Sequence, residues 1–224
     1  MTRWRWLAVL LPLVLLGGCA AQTISLRPRA RAFTATDYER IYEAWTRTED
    51  DFAWSRMRSV LHVTGTFESW EFRWAYVVRY AHDYGLGPDE RDAMLRASLD
   101  DSRNLHRFFV TLAGEDFRQS NITGRESAWR VMLVDQDGRT TTPVGIERIR
   151  RPGAVESTYF PSVTVHRQAF RVVFPVTRDD GTPTIPVGAP FVLLRFTGAL
   201  GTVALRWDFE SGGQSPPPEG VNQR

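Results

Sequence analysis

An antiparallel β-sandwich with a helical hairpin inserted in it is the fold class this chain predicts, and three observations carry it. Apolar residues alternate along several short runs: Phe170, Val172, Phe174 and Val176 against Arg171 and Val173, and Val203, Leu205, Trp207 and Phe209 against Ala204, Arg206 and Asp208. A period of two puts alternate side chains on opposite faces of a strand, so each run buries one face and wets the other. Turn signals punctuate the runs at Asp135-Gln136-Asp137-Gly138, Asp179-Asp180-Gly181 and Gly198-Ala199-Leu200-Gly201. The stretch from about 68 to 104 departs from this pattern and carries the 3.6-residue period of two helices.

Taken in chain order, Thr36-Asp37-Tyr38-Glu39 has the form of a capping box, in which the Thr and Glu side chains satisfy free amides at a helix start. Tyr38, Ile41, Tyr42 and Trp45 then fall on one face of a short N-terminal helix, read as a packing face rather than a ligand box. Met57, Leu61 and Val63 against Arg58 and His62 predict the first strand. In the hairpin, Trp70, Trp74, Val77, Val78 and Ala81 share a face, with Phe72, Tyr76 and Tyr80 beside it and Gly85 as the stop. Pro88-Asp89-Glu90 opens the second helix, with Pro in the first turn and acids at the positive end of the dipole. Its Met94, Leu95 and Leu99 lie to one side, while Asp89, Arg91, Asp100 and Asp101 are expected to face water.

Strands are expected over Arg107–Leu112, over Ala128–Val134 with a return through Thr140 to Ile149, over Phe170–Val176, and over Phe191–Phe196 and Val203–Phe209 as a hairpin. About seven such strands fit a sandwich that is immunoglobulin-like in broad architecture, with an open barrel as the alternative. Strand order is not written in the pattern, and no segment repeats at a fixed period.

Composition narrows the chemistry. A hydrophobic share of 42% is enough for a core. All 28 basic residues are arginine, which excludes a lysine Schiff base, a phosphate-loop lysine and a Ser-Lys dyad. Cys19 is the lone cysteine, so if it carries lipid there is no thiol nucleophile, no disulfide and no cysteine metal site.

The first twenty residues are the most specific. Arg3 and Arg5 give a positive start, and Trp6 to Leu16 is apolar, broken only by Pro12. That run is too short to span a hydrocarbon core of about 30 Å. Leu16-Gly17-Gly18-Cys19 follows and resembles the lipobox of bacterial lipoproteins. The resemblance implies diacylation of the Cys19 sulfur, cleavage between Gly18 and Cys19, and acylation of the new amino terminus. Ala20, standing where an Asp would retain the protein, implies transfer to the outer membrane. An uncleaved anchor or cleavage by the general signal peptidase are the alternatives. Losing Arg3 and Arg5 with the leader leaves 26 Arg against 26 acids, so the mature chain is formally neutral and no nucleic-acid partner is expected.

The organisation expected is therefore a signal peptide over 1–18, a lipidated tether over 19–33, the β domain over 34–210 and a disordered tail over 211–224. Inside the domain no catalytic, cofactor or metal residue is assigned. His62, His82, His106 and His166 show no metal-ligand spacing. Both Asp-Gly turns read as hairpin turns before calcium loops, although they could bind calcium if they met. Asp83, Glu90, Glu115, Asp116 and Glu126 are candidate paired carboxylates for glycan cleavage, and acids at helix starts and in loops are normally solvated. Asn121-Ile122-Thr123 matches a glycosylation acceptor only formally, because the leader points to a bacterium.

Three functions stay open. The first is a non-enzymatic lipoprotein anchored to the membrane through acyl chains on Cys19, binding an envelope protein or other component. The second is an envelope hydrolase using loop carboxylates. The third is a carrier of apolar ligands under the Trp70–Tyr84 helix, whose apolar surface exceeds what one partner helix would cover.

Overall fold

The computed structural model describes residues 23–26, 32–53, 58–114, 117–124 and 126–210. The expected signal peptide over 1–18, Cys19, Met57, Glu115, Asp116 and the expected tail over 211–224 lie outside the described residues. The elements are β1 (Thr23–Ile24), α1 (Tyr38–Trp45), β2 (Thr46–Ala53), β3 (Arg58–Phe67), α2 (Trp70–Tyr84), α3 (Pro88–Asn104) and β4 (Leu105–Gly114). They continue as β5 (Arg130–Val134), β6 (Thr140–Thr141), β7 (Gly145–Ile149), α4 (Ala154–Tyr159), β8 (Gln168–Pro175), β9 (Phe191–Gly198) and β10 (Gly201–Phe209).

The strands form two five-stranded sheets. Sheet I has the order β1-β10-β9-β5-β6 and sheet II the order β2-β3-β4-β8-β7. Every pairing is antiparallel except β1 with β10. The chain is thus mainly β, in two mostly antiparallel sheets with a few helices.

Parity along the strands sets the layers. On β10, Val203, Leu205, Trp207 and Phe209 are all buried, as the alternation predicts. Trp207 lies 5.3 Å from Phe108 of β4 and 6.2 Å from Phe67 of β3, ring centre to ring centre, so sheet I meets one face of sheet II there. Close approach is built in at Gly65, where an added Cβ would sit 2.5 Å from Leu205 Cδ1. Phe109, next to Phe108, points the opposite way and stacks on Phe160 at 3.8 Å. Phe160 in turn touches Phe72 and Tyr76 of α2. Sheet II is covered on both faces, which is why Phe108-Phe109-Val110-Thr111-Leu112 is buried without alternation.

Several expectations need correction. The helix cap lies two residues earlier than expected: the Thr34 N–H and hydroxyl donate to Asp37 Oδ2 at 2.9 and 2.8 Å, and a 3-10 turn over Ala35–Asp37 leads into α1. β2 is an addition to the expected strands, because an edge strand paired on one side tolerates the polar run Thr46-Arg47-Thr48-Glu49. The return from Thr140 to Ile149 is two strands, since β6 pairs with β5 in sheet I whereas β7 pairs with β8 in sheet II. α4 is a further addition, and the strands among the described residues number ten rather than about seven. α2 buries Phe72, Arg73, Ala75, Val77 and Ala81, while Trp70 and Trp74 are half-buried around Phe33 at 6.3 and 5.3 Å. Within the segment expected as a tether, Thr23–Ile24 joins sheet I and Phe33 packs on α2. No described helix is long and apolar enough to cross a membrane.

Candidate functional site

The helical layer meets sheet II through a charged cluster. Ser69 caps α2 by accepting from Phe72 N–H at 3.2 Å, and this start aims Arg73, one turn in, at the sheet. The Arg73 side chain is only 7% exposed. Its Nε donates to Glu68 O at 2.8 Å, and its Nη1 donates to Ser98 O at 2.9 Å and Asp101 Oδ2 at 2.7 Å. Its Nη2 is buried without a hydrogen-bond partner. From β4, Arg107 grips the same Asp101 with both prongs of its guanidinium, at 2.6 and 2.7 Å. From β8, Arg171 approaches Glu68 at 3.4 Å. Asp101, expected in water, is thus the hinge pin between α3, α2 and sheet II.

The cluster borders a cavity of about 120 Å³, walled by Phe72, Tyr76 and Phe160 and lined by Glu68, Arg73, Ser98 and Arg171. The Arg107 hydrogen bond, helped by Arg73, outweighs desolvation and holds the Asp101 carboxyl down at about 2. Burial first, then the charge of Arg73, lowers His106 to about 4, and its ring sits 5.8 Å from Phe67. Burial also pushes Tyr76 up to about 12. The acid here is ionised and already engaged, so the arrangement clamps the hairpin to the sheet. A space of this size holds a few waters at about 30 Å³ each, well below the roughly 300–1,000 Å³ of ordinary ligand pockets. Sequence reasoning misses the cluster, although an arginine between Phe72 and Trp74 on an otherwise apolar helix is its signal.

The two Asp-Gly turns do meet. Asp135 Oδ1 accepts from the N–H groups of Asp137 and Arg139 at 3.0 and 2.9 Å, and Oδ2 accepts from Arg178 Nη2 at 2.6 Å. Arg139 crosses the other way to Asp180 Oδ2 at 2.5 Å. Gly138 and Gly181 take φ of +79° and +78°, the left-handed region that fits glycine to each turn. The cleft between them, about 380 Å³, is lined by Arg139, Arg178, Asp179 and Asp180 among others. Calcium wants six to eight oxygen ligands, and here guanidinium groups hold the carboxylates it would need. Millimolar calcium should therefore leave the melting temperature of the protein unchanged. A rise of several degrees in a thermal scan would mean that calcium displaces Arg139 and Arg178.

The other candidates do not converge. His62 is bracketed: Nδ1 lies 2.5 Å from Asp50 Oδ1, and Nε2 lies 2.8 Å from Arg167 Nη2. Arginine only donates, so Nε2 accepts and Nδ1 carries the proton toward Asp50, leaving neither nitrogen for a substrate. His82 lies 3.2 Å from Asp83, and His166 is exposed. Asp83 accepts from Arg79 and from the Tyr159 hydroxyl, Glu90 caps α3 through the Gly87 N–H at 3.1 Å, and Glu126 is exposed. Asn121 Oδ1 accepts from both the N–H and the hydroxyl of Thr123, closing a local turn. Among the described residues, no group of three or more His, Cys, Asp or Glu could hold a metal ion.

No protein-family model matches the chain, and no curated protein matches it. A solved structure of a protein of unknown function from Burkholderia pseudomallei K96243 aligns over 82% of this chain and 93% of its own, at 16% identity and a TM-score of 0.36. A likeness that loose carries no argument about this chain.

Proposed function

We propose that this chain is a lipid-anchored cell-envelope lipoprotein, held at the bacterial outer membrane by acyl chains on Cys19, whose body binds or braces an envelope component without catalysing a reaction. The observation that carries the reading is the order Arg3, Arg5, apolar run, Leu16-Gly17-Gly18-Cys19. Two or three acyl chains hold a soluble body stably where one would not. In this reading the body is a β-sandwich, immunoglobulin-like in the broad sense of two facing, mostly antiparallel layers, and it needs no nucleic acid, metal or cofactor.

The chemistry of the body favours binding over the two alternatives. A hydrolase needs two free carboxylates across a cleft, whereas among the described candidates Asp83 and Glu90 are spent on Arg79, Tyr159 and a helix cap. A carrier of apolar ligands needs a roomy greasy chamber, whereas the cavity beneath the hairpin is about 120 Å³ and lined by Glu68, Arg73 and Arg171. The apolar surplus of α2 is met by Phe33, Tyr38 and Phe160.

Metabolic labelling with a fatty-acid analogue tests the anchor. Cys19→Ala should lose the label completely and accumulate as unprocessed precursor. A mutant that labels normally would refute the reading.

A further inference from the structure

We propose that the outward face of sheet I lies on the bilayer and binds anionic phospholipid headgroups, an inference that rests on the acylation of Cys19 proposed above. The first support is reach. β1 is in register with the end of β10, Thr23 opposite Asp208 and Ile24 opposite Phe209. Ile24 and Phe209 are buried, so Thr23 and Asp208 belong to the outward face. From Cys19 to Thr23 there are four chain steps, at most about 14 Å when fully extended. The headgroup layer beyond the hydrocarbon is itself roughly 5–8 Å deep on each side. A body whose edge strand starts so close to its lipid cannot stand away from the membrane.

The second support is charge. The register places Arg206 of β10, Arg195 of β9 and Arg130 of β5 on this one face: Arg206 is opposite Leu193, Arg195 is opposite Ala204 and Met132, and Arg130 is opposite Thr197. Asp208 is the one acid that these three strands place there, and it is engaged by Arg206 at 2.8 Å. Arg130 and Arg195 have no ion-pair partner among the described residues. In a chain that cleavage after Gly18 would leave neutral overall, this concentrates positive charge beside the anchor, where phosphate oxygens would accept from guanidinium groups. On α3, behind sheet II, the exposed acids Asp89, Glu90, Asp92 and Asp100 are instead interleaved with exposed Arg91, Arg96 and Arg103, with Arg91 on Asp92 and Arg103 on Asp100, so charge there is largely offset.

The third support is the apolar content of the same face. Phe191, Leu193 and Met132 are only half-buried, and the Arg206 guanidinium sits 3.7 Å over the Phe191 ring. A sheet face turned to bulk water is ordinarily polar, whereas arginine over aromatic and aliphatic groups suits the boundary between headgroup and acyl chain.

Because an acylated Cys19 has no free thiol, Thr202→Cys on the outward face and Ala97→Cys on α3, both at exposed positions, each give one labelling site. The full lipidated chain, carrying an environment-sensitive fluorophore at either position, is placed in phosphatidylcholine vesicles with and without phosphatidylglycerol, doped with headgroup-proximal nitroxide lipid. Quenching should be several-fold stronger at 202 than at 97 and should grow with phosphatidylglycerol. Arg130→Glu with Arg195→Glu should abolish that growth while the chain stays anchored. Equal quenching at the two positions, with the lipid mass present on Cys19, would overturn the docking face alone. A label at 202 shielded equally in detergent would give the face to a second copy or another protein, and would also overturn it. Absence of the lipid mass on the unaltered chain would instead refute the anchor.

Discussion

Asp135→Ala is expected to destabilise the protein by about 3–5 kcal/mol, because it strands a buried guanidinium. The carboxylate side chain is 1% exposed and that of Arg178, at the wall of the cleft, only 9%, so water replaces little of what either partner loses. Asp135 also accepts the Asp137 and Arg139 amides that close its own turn. The variant therefore loses a turn and leaves a cation unpaired in one step. Arg178 keeps its bonds to Thr141 Oγ1, Pro183 O and Thr184 O, none of them charged. Asp135→Asn should cost less, since its side-chain oxygen can still accept from the turn amides.

The acid limb follows with a definite sign. Burial alone would raise the Asp135 carboxyl, but donation from the Arg139 amide, Arg178 and the Asp137 amide outweighs it and holds the group below the usual carboxylate range. The folded state then binds fewer protons than the unfolded one. This contribution is present above the unfolded value of about 4 and is lost as pH falls through the folded value. Urea unfolding should show a lower midpoint for Asp135→Ala at pH 7, at unchanged slope, and a difference that shrinks in acid. Equal midpoints at pH 7 would mean that the pair contributes nothing.

What is legible in the sequence follows the range of the physics. Alternation along β8 and β10, the Gly85 stop and Pro88 start of the hairpin, and the aromatic face of α1 are local patterns, and each reads correctly from neighbours a few residues apart. The inner face of α2 does not, because Trp70 and Trp74 are covered by Phe33, some forty residues earlier, while Phe72 meets Phe160 from far downstream. Asp101 reads as solvated because nothing local shows that Arg73 and Arg107 converge on it. The meeting of the Asp135 and Asp180 turns depends on sheet order, which no window of residues contains. β2 escapes for the opposite reason. An edge strand needs only one set of backbone partners, and its Thr46 and Thr48 hydroxyls find Thr66 and Thr64 rather than an apolar core.

Trp207→Ala is the other change with a large expected effect, again about 3–5 kcal/mol, by the cost of truncating a fully buried aromatic. Its ring is wholly buried between Phe67 and Phe108, and its neighbour Leu205 rests on Gly65. It also does something an aliphatic residue could not: the indole N–H donates to Trp45 O at 2.9 Å. That carbonyl belongs to the last turn of α1, where no helical amide remains to satisfy it. One side chain therefore joins sheet I to sheet II by packing and to the helical layer by a hydrogen bond. At about 2–4 °C per kcal/mol for a chain of this size, the melting temperature should fall by roughly 6–20 °C. Trp207→Phe separates the two contributions, since it keeps most of the ring volume but leaves the Trp45 carbonyl unpaired, and it should lie between the parent and the alanine variant. A shift under about 2 °C for Trp207→Ala would mean that the two sheets do not share this core, and the layered arrangement built on it would have to be abandoned.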